Sequence, residues 1–266
     1  MRLLLLLSCV ALVACRSRSA TEEPGALLSQ ARQRLAERDA KLAHYRLEGT
    51  QREGDSAQAS FTFTYRAPQR MLGTVTAPMS RTVAWDGTHL FEKLDEPKQF
   101  TTFANELPPE KLSGFLTEVF APFVPEGFRA PLLLRSVTAK RVTHARARDA
   151  VELSMKLEGA EAEGLEVAYV LRWPTLDFLA KRTHAPDGGT SEVRVEDEHC
   201  DAALQLCVPR RLTRWVDGKQ VGETSLSRVD LQAALPNDTF TLVAPAGYTA
   251  QSRTLVESGA ASSDGG

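Results

Sequence analysis

Strong charge of either sign is missing from this chain. It carries 32 Lys+Arg against 34 Asp+Glu, a formal balance of −2, so it offers no electrostatic footprint for nucleic acid. Cysteine is scarce. Four in 266 residues cannot staple a disulfide miniprotein, and a chain of this length buries a core without such help. Disorder throughout is excluded by 42% hydrophobic residues. Catalytic signatures are lacking too: there is no GxSxG elbow, no P-loop, no GxGxxG and no HExxH. His44, His89, His144, His184 and His199 are scattered and read as surface or turn residues. The expectation is a non-catalytic protein, with no cofactor and no metal.

What is present begins at the N-terminus. Met1-Arg2 is a short basic start, and residues 3–14 form an uncharged apolar run of twelve residues. A membrane-spanning helix needs about 20, so the run is too short to cross a bilayer. Basic start, short apolar core and small residues before a cut make a secretory signal peptide. The run ends Leu12-Val13-Ala14-Cys15, which resembles the lipobox of bacterial lipoproteins. The resemblance implies cleavage before Cys15, acylation of Cys15 with palmitate-type chains, and anchoring to a membrane. Arg16, not Asp, follows, which in the enterobacterial sorting pattern implies the outer membrane, facing the periplasm. The other reading is an ordinary secretory signal that happens to contain a cysteine.

Cys9 leaves with the signal. Cys200 and Cys207 remain, and in an oxidising periplasm the pair reads as a disulfide. Free thiols are a second reading. A metal site with Glu196, Asp197, Glu198 and His199 is a third, without any CxxC or HxxxH spacing to support it.

Composition divides the chain into a signal peptide over 1–14, a lipidated N-terminus and tether over 15–25, one domain over 26–250 and a disordered tail over 251–266. Residues 26–43 are helical, with Leu28, Ala31, Leu35 and Leu42 along one face. From about Leu47 the period changes to two. Phe61, Phe63 and Tyr65 alternate with Thr62 and Thr64. Met71, Gly73 and Val75 follow, then Val83 and Trp85, then the turn signal Asp86-Gly87 before Leu90-Phe91. Pro108-Pro109 starts a second helix, in which Leu112, Phe115, Leu116, Val119 and Phe120 fall at helical spacing. Residues 121–131 are greasy, irregular and rich in proline. The segment with Lys140, Arg141, Arg146 and Arg148 reads as a solvated loop face, contact with anionic headgroups being the alternative. Further alternating runs fill residues 151–226, and a last one spans 231–243. The fold class is mainly β (α+β), an antiparallel sheet of about nine to eleven strands with two helices.

The order of these features, with residues 57–68, 83–91 and Leu235 to Gly247 as its best local carriers, resembles the bacterial outer-membrane lipoprotein carrier and receptor superfamily (LolA/LolB-like, including RseB-like periplasmic sensors). The resemblance implies a curved, incomplete antiparallel β-barrel whose helices cover its concave face. The lipoprotein carriers have an arginine directly before the proline that ends the second strand. Here Ala67 precedes Pro68 and the arginine is Arg66, one residue away and therefore on the opposite face.

Such a fold implies an apolar cavity lined by Phe61, Phe63, Tyr65, Met71, Val75, Val83, Trp85 and Phe91 from the sheet. Leu112, Phe115, Leu116, Val119 and Phe120 would cover it. The expected partners are a membrane, through the N-terminal lipid, and lipid acyl chains or lipoproteins held by a monomer. The alternative is an envelope sensor or interaction lipoprotein with a packed core and a protein partner.

Overall fold

Period-two alternation dominates the chain. In the computed structural model, which describes residues 24–128, 136–156 and 164–256, it produces one sheet of 14 strands. Helix α1 (Pro24–Lys41) leads into β1 (His44–Glu53), β2 (Ala59–Arg66), β3 (Arg70–Val75), β4 (Arg81–Trp85), β5 (His89–Leu94) and β6 (Gln99–Asn105). Helix α2 (Pro109–Phe120) and a 3-10 turn (Ala121–Phe123) intervene. Strands resume as β7 (Thr138–His144), β8 (Ala147–Lys156), β9 (Glu166–Arg172), β10 (Phe178–His184), β11 (Thr190–Asp201), β12 (Leu206–Val216), β13 (Lys219–Asp230) and β14 (Thr249–Leu255).

The spatial order is β14-β6-β5-β4-β3-β2-β1-β13-β12-β11-β10-β9-β8-β7. Two antiparallel meanders run outward from a central seam, where β1 pairs with β13. The seam has a bulge at Glu48/Gly49. A Cβ on Gly49 would lie 2.5 Å from the Ser225 carbonyl oxygen, so glycine is what lets these strands approach. The sheet does not close, because β14 and β7 remain as edges. The fold is thus mainly β, a curved and incomplete barrel.

The helices lie on the concave face. Strands β1 to β4 bury Tyr45, Leu47, Phe63, Met71 and Trp85 against Leu116, Phe120 and Phe123 of α2 and the turn. Helix α1 covers the other half of the sheet. Its Leu27, Ala31 and Leu35, four residues apart, pack on Val151, Leu153, Tyr169 and Leu171. Leu28, expected on that stripe, is only half-buried, and Leu42 packs beyond the helix end, in the α2 core. Between the two cores stands Arg38, 5% exposed, which donates to the Gly127 carbonyl at 2.9 Å. Burial pulls its pKa down, and the nearby Asp177 and Asp39 carboxylates oppose that.

Several expectations are corrected. Among the described residues the strands number 14, not nine to eleven, because β6, β7 and β14 carry too many polar residues to announce themselves. The segment read as a solvated basic loop is the β7–β8 hairpin: Lys140 pairs with Glu152 at 2.7 Å, and Arg141 lies 4.0 Å over the Trp173 ring. Residues 231–243 form no strand. Leu231 still packs in the concave cluster, and the chain then straps the convex face, with Leu242, Ala244 and Tyr248 against Ala84, Phe91 and Phe100. The strap delivers β14 parallel to β6, so the fold runs past residue 250 to Leu255. The Cys200–Cys207 disulfide is present and joins directly opposed positions of β11 and β12.

Two contacts pin the strap. Arg66 donates to the Leu235 carbonyl, and its guanidinium lies 5.6 Å over the ring of buried Phe240. The displaced arginine therefore serves the convex strap, not the concave cover. Farther along, the Tyr248 hydroxyl donates to Asp95 at 2.6 Å. Hydrogen bonds from Ser80, Tyr248 and Lys93 hold the Asp95 carboxyl well below the usual carboxylate range.

Candidate functional site: a cleft beneath the helical cover

Twelve of the thirteen residues expected to line a cavity share one compartment. Phe61, Phe63, Met71, Val75, Val83, Trp85, Leu116 and Phe120 are buried in a single cluster, with Tyr65, Leu112, Phe115 and Val119 half-buried around it. Phe91 is the exception. Trp85 pairs with Leu90 across the β4–β5 turn, so Leu90 shares the concave face of Trp85 and Phe91 points outward, beneath the strap.

Most of this compartment is filled by the protein itself. The Phe120 ring meets Phe63 at 6.2 Å and Phe123 at 6.1 Å between centroids, and Tyr45 meets Phe128 at 5.5 Å. Phe123 is seated directly on β3, where a Cβ on Gly73 would lie 2.5 Å from its ring. The 3-10 turn thus plugs the centre of the concave face. A narrow cleft of about 120 Å³ persists between α1 and α2, beside Tyr65, Met71 and Leu116. Asp39 borders it, and burial raises the Asp39 carboxyl pKa to about 6 against the opposing pull of Arg38.

A larger cleft lies to one side of the plug, with a volume of about 590 Å³. Its floor runs from Ala59 and Phe61 of β2 across β1 and β13 to Leu212 of β12 and Val193 of β11. Pro122, Phe123, Val124 and Pro125 form its opposite wall. Phe61 alone of the expected cavity residues lines it. The wall after α2 was legible only as a greasy, irregular stretch, and nothing in the pattern linked it to Leu212 or Val193.

Charge gathers at the rim of this cleft. Glu126 accepts from Lys181 at 2.6 Å. Burial would lower the Lys181 pKa, but Glu126 and the Tyr169 ring beside it hold it above its ordinary value. On the other face of the sheet, where Arg211 and Glu223 alternate with Leu212 and Thr224, these two pair at 3.0 Å. Glu53 of β1 and Arg214 of β12 form an ion pair across the intervening β13. Both stand opposite Gly222, whose missing side chain leaves the gap through which they meet. Arg52, exposed at the mouth, has no ion pair or side-chain hydrogen bond among the described residues.

Among the described residues, no group of three or more His, Cys, Asp or Glu is placed to hold a metal, and no helix is long and apolar enough to cross a membrane. Cys15 and residues 16–23 of the tether lie outside the described residues, and Pro24 and Gly25, assigned to the tether, open α1.

Solved structures share this arrangement at low sequence identity. The chain is similar to a domain assigned to outer membrane lipoprotein sorting from Vibrio parahaemolyticus, with TM-score 0.53, 9% identity, and coverage of 80% of this chain and 97% of that one. The two share a fold. The chain is also similar to a LolA superfamily protein from Nitrosomonas europaea, with TM-score 0.48, 14% identity, and 80% and 97% coverage. A weaker likeness reaches the Pseudomonas aeruginosa MucA/MucB complex, with TM-score 0.31, 13% identity, and 80% and 61% coverage. No family model matches the sequence, and no curated protein does.

Proposed function

We propose that this protein is a lipoprotein of the bacterial outer membrane, anchored through Cys15 and facing the periplasm, that holds an acyl chain or a lipidated protein without chemical conversion. The observation that carries the reading is the 590 Å³ cleft, whose wall of Pro122, Phe123, Val124 and Pro125 faces a floor that is apolar at its two ends, Ala59 with Phe61 and Leu212 with Val193, and polar between them, a size suited to one small ligand. The LolA-like fold and the lipobox-like Leu12-Val13-Ala14-Cys15 support it. Burying a sixteen-carbon chain amounts to about 12 kcal/mol at about 0.8 kcal/mol per CH₂. A chain passing from bilayer to cleft keeps that burial, so transfer is nearly neutral and needs no energy source.

A second reading is favoured by one observation, the packing of Phe123 on Gly73. A plugged concave face suits a sensor or interaction lipoprotein that binds a protein partner.

Mass spectrometry of the chain from residue 16 onward, purified from bacterial envelopes, separates the two. Co-purified lipid and uptake of a fluorescent fatty acid are the result expected of a carrier. Absence of both would leave the sensor reading. The anchor has its own check: Cys15→Ser is expected to stop acylation and leave the precursor uncut, and normal maturation of that variant removes the anchor from the proposal.

A further inference from the structure

Resting on the anchor at Cys15, we infer that the rim formed by α1 and the edge strand β7 docks on an anionic phospholipid surface and holds the sheet edge-on to its membrane. The chain is nearly neutral as a whole, yet its charge is unevenly spread. Residues 24–36 of α1 and residues 136–148, which make β7 and its turn into β8, hold Arg32, Arg34, Lys140, Arg141, Arg146 and Arg148, and no Asp or Glu. The fold joins these two segments. Arg32 donates to the Ser136 carbonyl at 2.8 Å. Arg34 of α1 and Arg141 of β7 lie 5.1 and 4.0 Å from the centroid of one ring, Trp173.

Neighbouring carboxylates do not cancel this charge. Glu152 pairs with Lys140 and Glu198 with Arg146, but each of these acids is only 12% exposed at the side chain, beneath cations that are 67% and 34% exposed. The exposed acids beside the rim are Asp149, next to Arg148, and Glu37, one turn beyond Arg34. Six cations against these four carboxylates leave a surplus of two positive charges. Arg148 has no ion pair or side-chain hydrogen bond among the described residues. Strand β7 ends the sheet, and its successive side chains, Lys140 and Arg141, alternate to the two faces. A flat anionic surface meeting the rim edge-on takes both rows at once. Trp173 at its centre is half-buried, and an indole flanked by two arginines suits headgroup depth.

The origin of the chain favours a membrane over an acidic protein. Helix α1 begins at Pro24, nine residues on from Cys15, a span of at most about 30 Å when fully extended. The start of the rim is therefore held close to the leaflet that carries the anchor, at high effective concentration of headgroups. Each Lys or Arg brought to an anionic leaflet strengthens binding roughly fivefold.

The test uses the chain from residue 16 onward, which contains every described element and lacks the anchor. It is floated with vesicles of phosphatidylethanolamine and phosphatidylcholine, with and without an equal part of phosphatidylglycerol. At low salt it is expected to bind the anionic vesicles at least tenfold better, and high salt should remove the preference. Lys140→Gln, Arg34→Gln and Arg148→Gln should each weaken that binding roughly fivefold, and Arg34→Lys should retain it. Arg253→Gln makes the same change of charge on the opposite edge strand, β14, and should leave binding unaltered. Near-ultraviolet circular dichroism confirms that each variant folds. Brominated lipid should quench tryptophan emission from the bound protein, and Trp173→Phe should remove that quenching. Equal binding to neutral and anionic vesicles overturns the inference, as does a loss in Arg253→Gln equal to that in the rim variants. Quenching that survives Trp173→Phe and disappears in Trp215→Phe overturns it too. Binding of polyglutamate without binding of vesicles assigns the rim to an acidic protein and overturns membrane docking. Acylated Cys15 in the full chain, with no anionic preference in the fragment, sinks this inference alone. Unacylated Cys15 with the preference intact removes the anchor and leaves the docking surface standing.

Discussion

Gly73 lacks a side chain where the Phe123 ring occupies the space, and the two residues behave as one packing unit. Gly73→Ala forces a Cβ to within 2.5 Å of that ring. The expected cost is about 1–3 kcal/mol, typical of overpacking. In a Phe123→Ala background the same change should cost much less, a coupling that urea midpoints of the four proteins in the cycle will show. The sequence carried half of this unit. Gly73 falls on the concave face by simple alternation with Met71 and Val75, but the proline-rich segment holding Phe123 has no periodicity to assign it a partner. Phe91 failed for a different reason. Two adjacent apolar residues, Leu90 and Phe91, leave the face undecided until the register of the Asp86-Gly87 turn sets Leu90 opposite Trp85. Asp39 supplies a pH prediction. Its folded pKa of about 6 lies above the ordinary carboxylate value, so its contribution is fully present below about pH 4 and is lost as pH rises through 6. Asp39→Asn should flatten that part of the stability profile between pH 4 and 7. An unchanged urea-midpoint profile would count against it.

At the scale of elements, alternation proves to report facing rather than pairing. In residues 231–235, Leu231 and Ala233 are buried while Gln232 and Ala234 are exposed, the pattern of a strand, yet the segment has no ladder and lies across the sheet as a strap. Conversely β7 and β14 have ladders and little apolar pattern, because an edge strand needs few buried side chains. Helices were easier. The stripe of α2 emerged with Leu116 and Phe120 buried as expected, since a 3.6-residue period over twelve residues has few rival readings. The strap yields a prediction through Phe240, which is 1% exposed and clamped by Arg66. Phe240→Ala should destabilise by about 3–5 kcal/mol in thermal or urea unfolding. The β11–β12 hairpin yields another. Its disulfide closes a loop with sequence separation 7, so replacing both cysteines by serine should cost about 2.5 kcal/mol on loop-closure entropy, measured by chemical denaturation under oxidising conditions.

The whole molecule is two meanders zipped along β1 and β13. Each meander pairs neighbours in sequence, which is why its strands could be read from local turns. The joining seam matches Leu47 with Val229, and nothing local in either strand names the other. The N-terminal meander is completed on both sides by the last part of the chain: β13 covers its inner edge at β1, and β14 covers its outer edge at β6. Truncation after Asp230 should therefore leave the β6 edge and the Ala84–Phe91–Phe100 patch uncovered, and size-exclusion chromatography is expected to find aggregate in place of a compact species. The same arrangement bears on biogenesis. A polypeptide made N-terminus first presents its opening six strands able to assemble at once but bare along both borders, each an invitation to foreign strands. The interval lasts until the closing residues arrive and seal the two borders.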